Sequence, residues 1–367
     1  MNPVIHSRAP GKVVLIGEYA VLDGAPALAM AVDRYARVTL EPGSGRSGTL
    51  AAPKLVAEPV GFEIGSDGRL NWQIDAPGWL TLARTASLLD FLHSRVRERF
   101  GDPGGYHATI DTSELYLPRD GRLNKLGLGS SSAVAVALDA ALRRLAGGAQ
   151  PSGLSMRAFE RLITPYRRGQ EGQGSGIDLA TSLCGGVVCF QRHGERAEVE
   201  RLSLPDGLVM VFVWTGQPAS TADFLGHFRR WQAAQPAAAR ATFAAMERVS
   251  KAAVKACRGG DGEALMACLR DYGGLMGKMG DEMGVAVETA AHRRIREVAE
   301  GLGMVYKPCG AGGGDIGMAV ASDAHPAHEF SARLQADGWP ILPLGADMTG
   351  VEVRSGKTNP DRHNGEP

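Results

Sequence analysis

The run Lys125-Leu-Gly-Leu-Gly-Ser-Ser-Ser-Ala133 passes directly into an apolar segment that reaches Leu145. Gly127 and Gly129 lack Cβ atoms, so the backbone can turn tightly there and aim successive N–H groups at one point. Ser130, Ser131 and Ser132 add hydroxyls and a helix cap, and the start of the helix adds its partial positive charge. The helix expected over Ser131–Leu145 is apolar nearly all round, hence buried. A buried helix with its N-terminus open to an anion needs a core around it and a cleft at one end. The loop matches neither the GxxxxGK[ST] nor the GxGxxG pattern. Its plain alternative is a glycine turn capping a core helix.

Two more loops share this character, and 49 of the 367 residues are glycine, about twice the usual share. Lys307-Pro-Cys-Gly-Ala-Gly-Gly-Gly-Asp315 lies between two expected strands. Its glycines cost more backbone entropy than an ordinary hairpin tip requires, which suits backbone closing over an anion with Asp315 fixing the shape. Gly172-Gln-Gly-Ser-Gly-Ile-Asp178 follows Arg167 and Arg168 and precedes a short apolar helix, Leu179–Leu183. Asp178 is either a first-turn helix carboxylate or a base held by a rigid turn, and spacing does not decide between them. Near the start, Ala9-Pro-Gly-Lys-Val-Val-Leu-Ile-Gly-Glu-Tyr19 sets Lys12 and Glu18 at the two ends of one short strand.

Alternation and helical spacing organise the rest. Strands are expected over Val4–Ala9 and Val13–Glu18, joined by Pro10-Gly11, and over Tyr35–Glu41, with an exposed loop at Pro42–Pro53. A helix follows at Leu80–Phe100, then a strand at Tyr106–Asp111 and strands at Val187–Gln191, Glu198–Ser203 and Leu208–Trp214. Four helical patterns come next: Thr221–Gln235, Ala237–Ala256, Gly262–Met283 and Val285–Gly301. The end alternates again, with strands at Met304–Lys307 and Ile316–Ala321, a helix at His325–Ala336, and strands near Ile341 and Val351. This is an α+β chain in two parts, 1–204 and 205–367.

Lys and Arg number 40 against 40 Asp and Glu, so no basic excess points to nucleic acid. No apolar run is long enough to span a bilayer, and no secretory h-region opens the chain. The five cysteines form no CxxC pair and show no metal-ligand spacing with histidine. A cytoplasmic protein with reduced thiols, acting on small molecules and able to form a homodimer, is expected.

With these loops in place, the sequence resembles the GHMP kinases. Three motifs of that family occur in order across nearly the whole chain: APGKVVLIGEYAVL from Ala9, GLGSSSA from Gly127 and CGAGGGDIG from Cys309. Lys125 before GLGSS, Asp315 after GAGGG, the segment Gly174-Ser-Gly-Ile-Asp178 and the segment Trp214-Thr-Gly-Gln-Pro-Ala-Ser-Thr221 are most similar to the phosphomevalonate kinases within it. The resemblance implies an N-terminal domain like ribosomal protein S5 domain 2, a ferredoxin-like C-terminal domain and a site in the cleft between them. It implies transfer of the ATP γ-phosphoryl to (R)-5-phosphomevalonate. The alternatives are a mevalonate kinase or another small-alcohol kinase, and a non-catalytic ligand-binding relative.

By that resemblance Lys125, Gly127, Leu128, Gly129, Ser130, Ser131 and Ser132 hold ATP, with Ser131 on Mg2+ and Glu171 a weak substitute for the carboxylate ligand of mevalonate kinases. Lys12 and Asp178 are the expected catalytic residues. For a phosphate acceptor, Asp178 orients Lys12 or the substrate rather than taking a proton. Glu18, Tyr19, Ser175, Gly176, Ser220, Thr221, Gly310, Ala311, Gly312, Gly313 and Asp315 are expected around the acceptor, with Arg167, Arg168, Lys307 and Lys125 as candidate cations. Cys309 is either a reactive thiol beside an anion site or a small residue in a tight turn.

Overall fold

The computed structural model describes residues 3–119, 121–148, 156–168, 174–194, 196–219 and 221–356. The first half runs β1 (Val4–Ile16), β2 (Ala27–Pro42), β3 (Ser47–Ala51), β4 (Val60–Ile64), β5 (Leu70–Trp72), α1 (Trp79–Phe100), β6 (Tyr106–Asp111), β7 (Tyr116–Arg119) and β8 (Arg122–Lys125). It continues with α2 (Ser130–Leu145), α3 (Met156–Arg168), α4 (Ile177–Cys184), β9 (Val187–His193) and β10 (Arg196–Leu202). The second half runs β11 (Val209–Trp214), α5 (Thr221–Ala234), α6 (Pro236–Gly259), α7 (Gly262–Met283), α8 (Ala290–Gly301), β12 (Val305–Pro308), β13 (Ile316–Ala321), α9 (Ala324–Ala336), β14 (Ile341–Leu342) and β15 (Glu352–Gly356).

Strand β2 is the spine of the first sheet, whose order is β10-β9-β2-β6-β3-β4-β5. It pairs with β1 from Leu28 to Leu40, with β9 at Ala27–Met30 and with β6 at Arg37–Pro42. The turn expected at Pro10-Gly11 does not form. Strand β1 runs straight through, and the register slips there, from Tyr35 opposite Pro10 to Val32 opposite Gly11. Pro-Gly is a turn signal only by local preference; here β2 offers partners to both halves. Gly11 is needed for another reason, because a Cβ on it would lie 2.8 Å from the Leu128 carbonyl oxygen. The loop expected at Pro42–Pro53 likewise contains β3, which its partners β4 and β6 stabilise rather than its own residues.

Helix α2 packs on β1 and β2, flanked by α1, α3 and α4. Its residues from Ser132 to Leu142 are all buried, as the all-round apolar pattern predicts. Each fully buried Leu or Val there contributes about 1.5–3 kcal/mol. Ser131 alone in the first turn is exposed, which leaves the helix start open to the cleft.

The second sheet has the antiparallel order β12-β13-β11-β14. Its connection, strand–helices–two strands–helix–strand, has the ferredoxin-like order. Both faces are covered, which explains the unbroken apolar run of β11. Val211 and Val213 meet Ile295, Phe330 and Leu334 of α8 and α9, whereas Phe212 and Trp214 belong to the main core with Met276 and Tyr272 of α7. Helix α8 begins at Ala290 rather than Val285, because Thr289 caps it by accepting from the His292 N–H at 3.3 Å.

One strand crosses the expected division. Residues of β15 pair antiparallel with β1, from Val4 opposite Gly356 to Arg8 opposite Glu352. The second part expected at 205–367 thus returns Glu352–Gly356 to the first sheet, where it covers an edge of β1 that would otherwise be open. No helix among the described residues is long and apolar enough to cross a membrane.

Val353 is 5% exposed and points into the main core from this returning strand. Val353→Asp should therefore lower the unfolding free energy by about 2 kcal/mol or more, while Arg354→Ala on the same strand should change it by less than about 0.5 kcal/mol. Urea unfolding followed by circular dichroism measures both.

Candidate active site

A cleft of about 650 Å³ lies where α2 begins, walled by residues of both halves. Lys12 enters it from β1. Its backbone N–H donates to the Leu128 carbonyl at 2.8 Å and its ammonium to the Gly127 carbonyl at 3.3 Å. Gly127 and Gly129 have φ of 73° and 75°, the left-handed region that favours glycine. Contact demands them as well: a Cβ on Gly127 would sit 2.5 Å from Asp315 Oδ2, and one on Gly129 would sit 3.1 Å from Lys12 Cε. The N-terminal lysine, the serine-rich helix start and the C-terminal glycine loop thus meet at one point.

Charge is concentrated there. Lys12, Lys125 and Arg84 line the cleft together with Asp178 and Asp315. Lys125 is held below the ordinary lysine value, first by loss of water and then by Lys12 and Arg84, with Asp315 opposing. Burial raises the Asp315 carboxyl above its usual range, against the Ala219 N–H bond at 3.1 Å and the two lysines, which favour its charged form. Arg84, on α1, belongs to no motif, and nothing in the sequence marks it.

Glu18 and Lys307 face each other rather than a ligand. The Lys307 ammonium donates to Glu18 Oε1 at 2.6 Å and to the Pro308 carbonyl at 2.7 Å, with side chains 0% and 3% exposed for Lys307 and Glu18. Gly310 N–H also donates to Glu18 Oε1 at 3.3 Å, and Tyr272 donates to the Glu18 carbonyl at 2.6 Å. Lys307 is therefore not a cation available to substrate, and Glu18 reaches the cleft as the anchor of the third glycine loop. Tyr19, at φ 61°, donates its hydroxyl to the Ala311 carbonyl at 2.5 Å and ties the same loop. Cys309 is buried at the edge of the cleft, and loss of water pushes its thiol up to about 12, which disfavours a thiolate there.

Of the loop residues, Gly310 and Ala311 line the cleft, whereas Gly312 and Gly313 do not. A Cβ on Gly312 would lie 2.5 Å from the Val287 carbonyl oxygen, and one on Gly313 2.1 Å from the Phe224 ring. Close packing alone is enough to require them as glycine. His292, which the sequence did not single out, braces this loop. Its Nδ1 lies 2.7 Å from the Tyr306 hydroxyl and its Nε2 3.1 Å from the Gly314 carbonyl. The carbonyl can only accept, so Nε2 carries the hydrogen and the tyrosine donates to Nδ1.

Several other expected contacts resolve differently. Ser130 and Ser131 line the cleft, but the Ser132 hydroxyl turns back to the Gly129 carbonyl at 2.6 Å and is fully buried. Leu128 also lines the cleft, though it is only 1% exposed and its carbonyl accepts the Lys12 N–H. Ser175 lines the cleft, whereas Gly176, at φ 95°, packs against Ile163 and Phe159. Of the two partners expected for Asp178, Lys12 and the substrate, Lys12 makes no hydrogen bond or ion pair with it. Asp178 Oδ2 accepts from the Tyr166 hydroxyl, and Oδ1 accepts from the Leu179 N–H at 3.2 Å. Helix α3 carries Tyr166 to within reach, which no spacing rule foresees. Ser220 and Glu171 lie outside the described residues, as do the side chains of Arg167, Arg168 and Thr221.

Removing one member of the buried pair leaves the other charge stranded. Lys307→Met or Glu18→Gln alone should each cost about 3–5 kcal/mol, and the double variant less than their sum; additive losses in urea unfolding would show that the two do not interact. His292 is lowered from 6.5 to about 4, chiefly by burial, with Lys307 adding to it and the Gly314 bond opposing. The unfolded chain then binds the proton more tightly, so this contribution is complete above pH 6.5 and lost as pH falls towards 4. His292→Gln should flatten that part of the stability profile, as urea melts across the same range will report.

Comparison with known proteins agrees with the geometry. The model for the GHMP kinase N-terminal domain matches residues 88–186. The chain is 31% identical over 379 aligned residues to the phosphomevalonate kinase of Streptomyces sp. strain CL190, covering 95% of this chain and 98% of that one. It is 26% identical to the mevalonate kinase of Aeropyrum pernix over 87% of this chain and 89% of that one. Among solved structures, Streptococcus pneumoniae phosphomevalonate kinase in complex with phosphomevalonate and AMPPNP superposes with a TM-score of 0.76. That match covers 93% of this chain and 99% of the other at 19% identity, a likeness of fold. With these motifs meeting in one cleft and that identity sustained from end to end, the chain belongs to the GHMP kinase family.

Proposed function

We propose that this kinase transfers the γ-phosphoryl group of ATP to the phosphate of (R)-5-phosphomevalonate, giving 5-diphosphomevalonate, and that it acts in the cytoplasm. The observation that carries the reading is the gathering of Lys12, Lys125 and Arg84 beside the open start of α2. Two polyanions held head to head need such an arrangement. The Streptomyces relative named above supports the choice of acceptor, and five free thiols fit a reducing compartment.

Phosphoryl transfer is mainly positioning and neutralisation of charge on the moving group. The acceptor phosphate has a second pKa of about 6, so at neutral pH it attacks as a dianion and needs no base. The glycine loop and the Ser130 and Ser131 end of α2 would take the ATP phosphates. Lys12, braced by the Gly127 carbonyl, would lie between donor and acceptor and offset the charge that develops. Lys125 and Arg84 would share that load.

Mg2+ fits this site as a companion of the nucleotide rather than of a protein cage. Among the described residues no group of three or more His, Cys, Asp or Glu is placed to hold a metal. Glu18 is already tied to Lys307 and Asp178 to Tyr166. The exposed Ser131 hydroxyl is the natural protein ligand, the phosphates supplying most of the rest. Bound there, the ion would neutralise phosphate charge.

Lys12→Met should reduce kcat with phosphomevalonate by about a hundredfold or more, with the fold intact by circular dichroism. A loss under about tenfold removes Lys12 from the mechanism. Coupled ADP-release assays with phosphomevalonate and mevalonate side by side test the acceptor. Preference for mevalonate would instead favour the hydroxyl-acceptor reading that the Aeropyrum relative suggests.

A further inference from the structure

A hydroxyl acceptor must lose a proton as it attacks phosphorus, whereas a phosphate dianion need not. Asp178 is the carboxylate of this cleft that a hydroxyl acceptor would use, since Glu18 is paired with Lys307 and Asp315 is bound by the Ala219 N–H beside Lys12 and Lys125. Its Oδ2, however, already receives the Tyr166 hydroxyl, and its Oδ1 the Leu179 N–H. Tyr166 is itself 6% exposed and lines the cleft.

The support behind Tyr166 is rigid. Arg161, one and a half turns earlier on α3, donates to Asp139 of α2 at 3.1 Å, and Asp139 is only 4% exposed. Phe159 and Ile163 pack so closely on Gly176 that a Cβ there would lie 2.5 Å from Ile163 Cδ1. These contacts tie α3 to α2 and to the start of α4, and Tyr166 belongs to the same buried core. A proton arriving at Oδ2 would have to displace the Tyr166 hydrogen from that oxygen and turn the phenol from donor to acceptor.

We propose that Tyr166 is a specificity-determining positioning residue: its hydroxyl occupies the Asp178 oxygen on which a hydroxyl acceptor would depend, and so reserves the cleft for acceptors that are already anionic. The inference rests on the kinase reading above. With the phenol oxygen removed, the full step becomes available to an alcohol. The acceptor O–H bond breaks and its proton passes to Asp178 Oδ2. The oxygen lone pair forms the new bond to the γ-phosphorus, and the bond between that phosphorus and the β–γ bridging oxygen breaks with its electrons leaving on ADP.

Steady-state assays of Tyr166→Phe with saturating ATP and Mg2+, using mevalonate and phosphomevalonate in parallel, test this. The ratio of kcat for mevalonate to kcat for phosphomevalonate should rise about tenfold or more, and the rise should vanish in Tyr166→Phe/Asp178→Asn. The gain should lie in kcat for mevalonate with its KM little changed, a split that a packing change alone would not create. If Phe packs poorly by thermal melting, Tyr166→Leu, equally without a donor, should raise the same ratio. A ratio within twofold of wild type in both variants, or a rise that survives Asp178→Asn, overturns the proposal. Wild-type protein that uses phosphomevalonate while the ratio stays unmoved sinks the role of Tyr166 alone. Wild-type protein that phosphorylates mevalonate and not phosphomevalonate sinks the acceptor assignment along with it.

Discussion

The ion pair between Glu18 and Lys307 joins the end of β1 in the first sheet to β12 in the second, and both side chains are withdrawn from water. Burying two charges is expensive, and such pairs are poor sources of net stability. What this one supplies is placement. Glu18 also receives the Gly310 N–H, its carbonyl receives Tyr272, and the next residue, Tyr19, holds Ala311. The third glycine loop is thereby pinned against the strand that carries Lys12. His292 holds the far end of the loop through Gly314. Asp315 then stands against Gly127, and the cleft acquires its floor.

Its charge follows from that placement. With Glu18 and Lys307 neutralising each other, Lys12, Lys125 and Arg84 face Asp178 and Asp315 around an open helix start. Asp315 belongs to the machinery of the loop, accepting from Ala219, and Asp178 belongs to the α3–α4 unit through Tyr166. The balance left for a ligand is cationic. A nearly neutral chain has therefore concentrated its positive charge where negative reactants would meet, without the overall basic excess that marks nucleic-acid binders.

Much of this was legible in the order of residues. The buried helix α2, the glycine loop before it, the apolar strand β11 and the helices α5 to α7 are properties of local pattern, which reports burial and period directly. Gly127 and Gly129 were read correctly as glycines that a tight turn requires. At Gly312 and Gly313, expected beside the substrate, it is Val287 and Phe224 that exclude a side chain. Pro10-Gly11 is a strand rather than the expected turn, and the Leu128 carbonyl that needs a bare glycine there lies far along the chain.

The sequence by itself determined the family and the α+β class, and marked the glycine loops that meet at the cleft, because each depends on neighbours within a few residues or on motifs in a fixed order. Only the tertiary structure decided which charged groups satisfy one another. Lys307 is claimed by Glu18 across 289 positions, Asp178 by Tyr166, and the edge of β1 by a strand from the other end of the chain. Pairing energies fall off within a few ångströms in space and carry no mark in sequence separation, so the same residues read singly look like free ligands for a substrate.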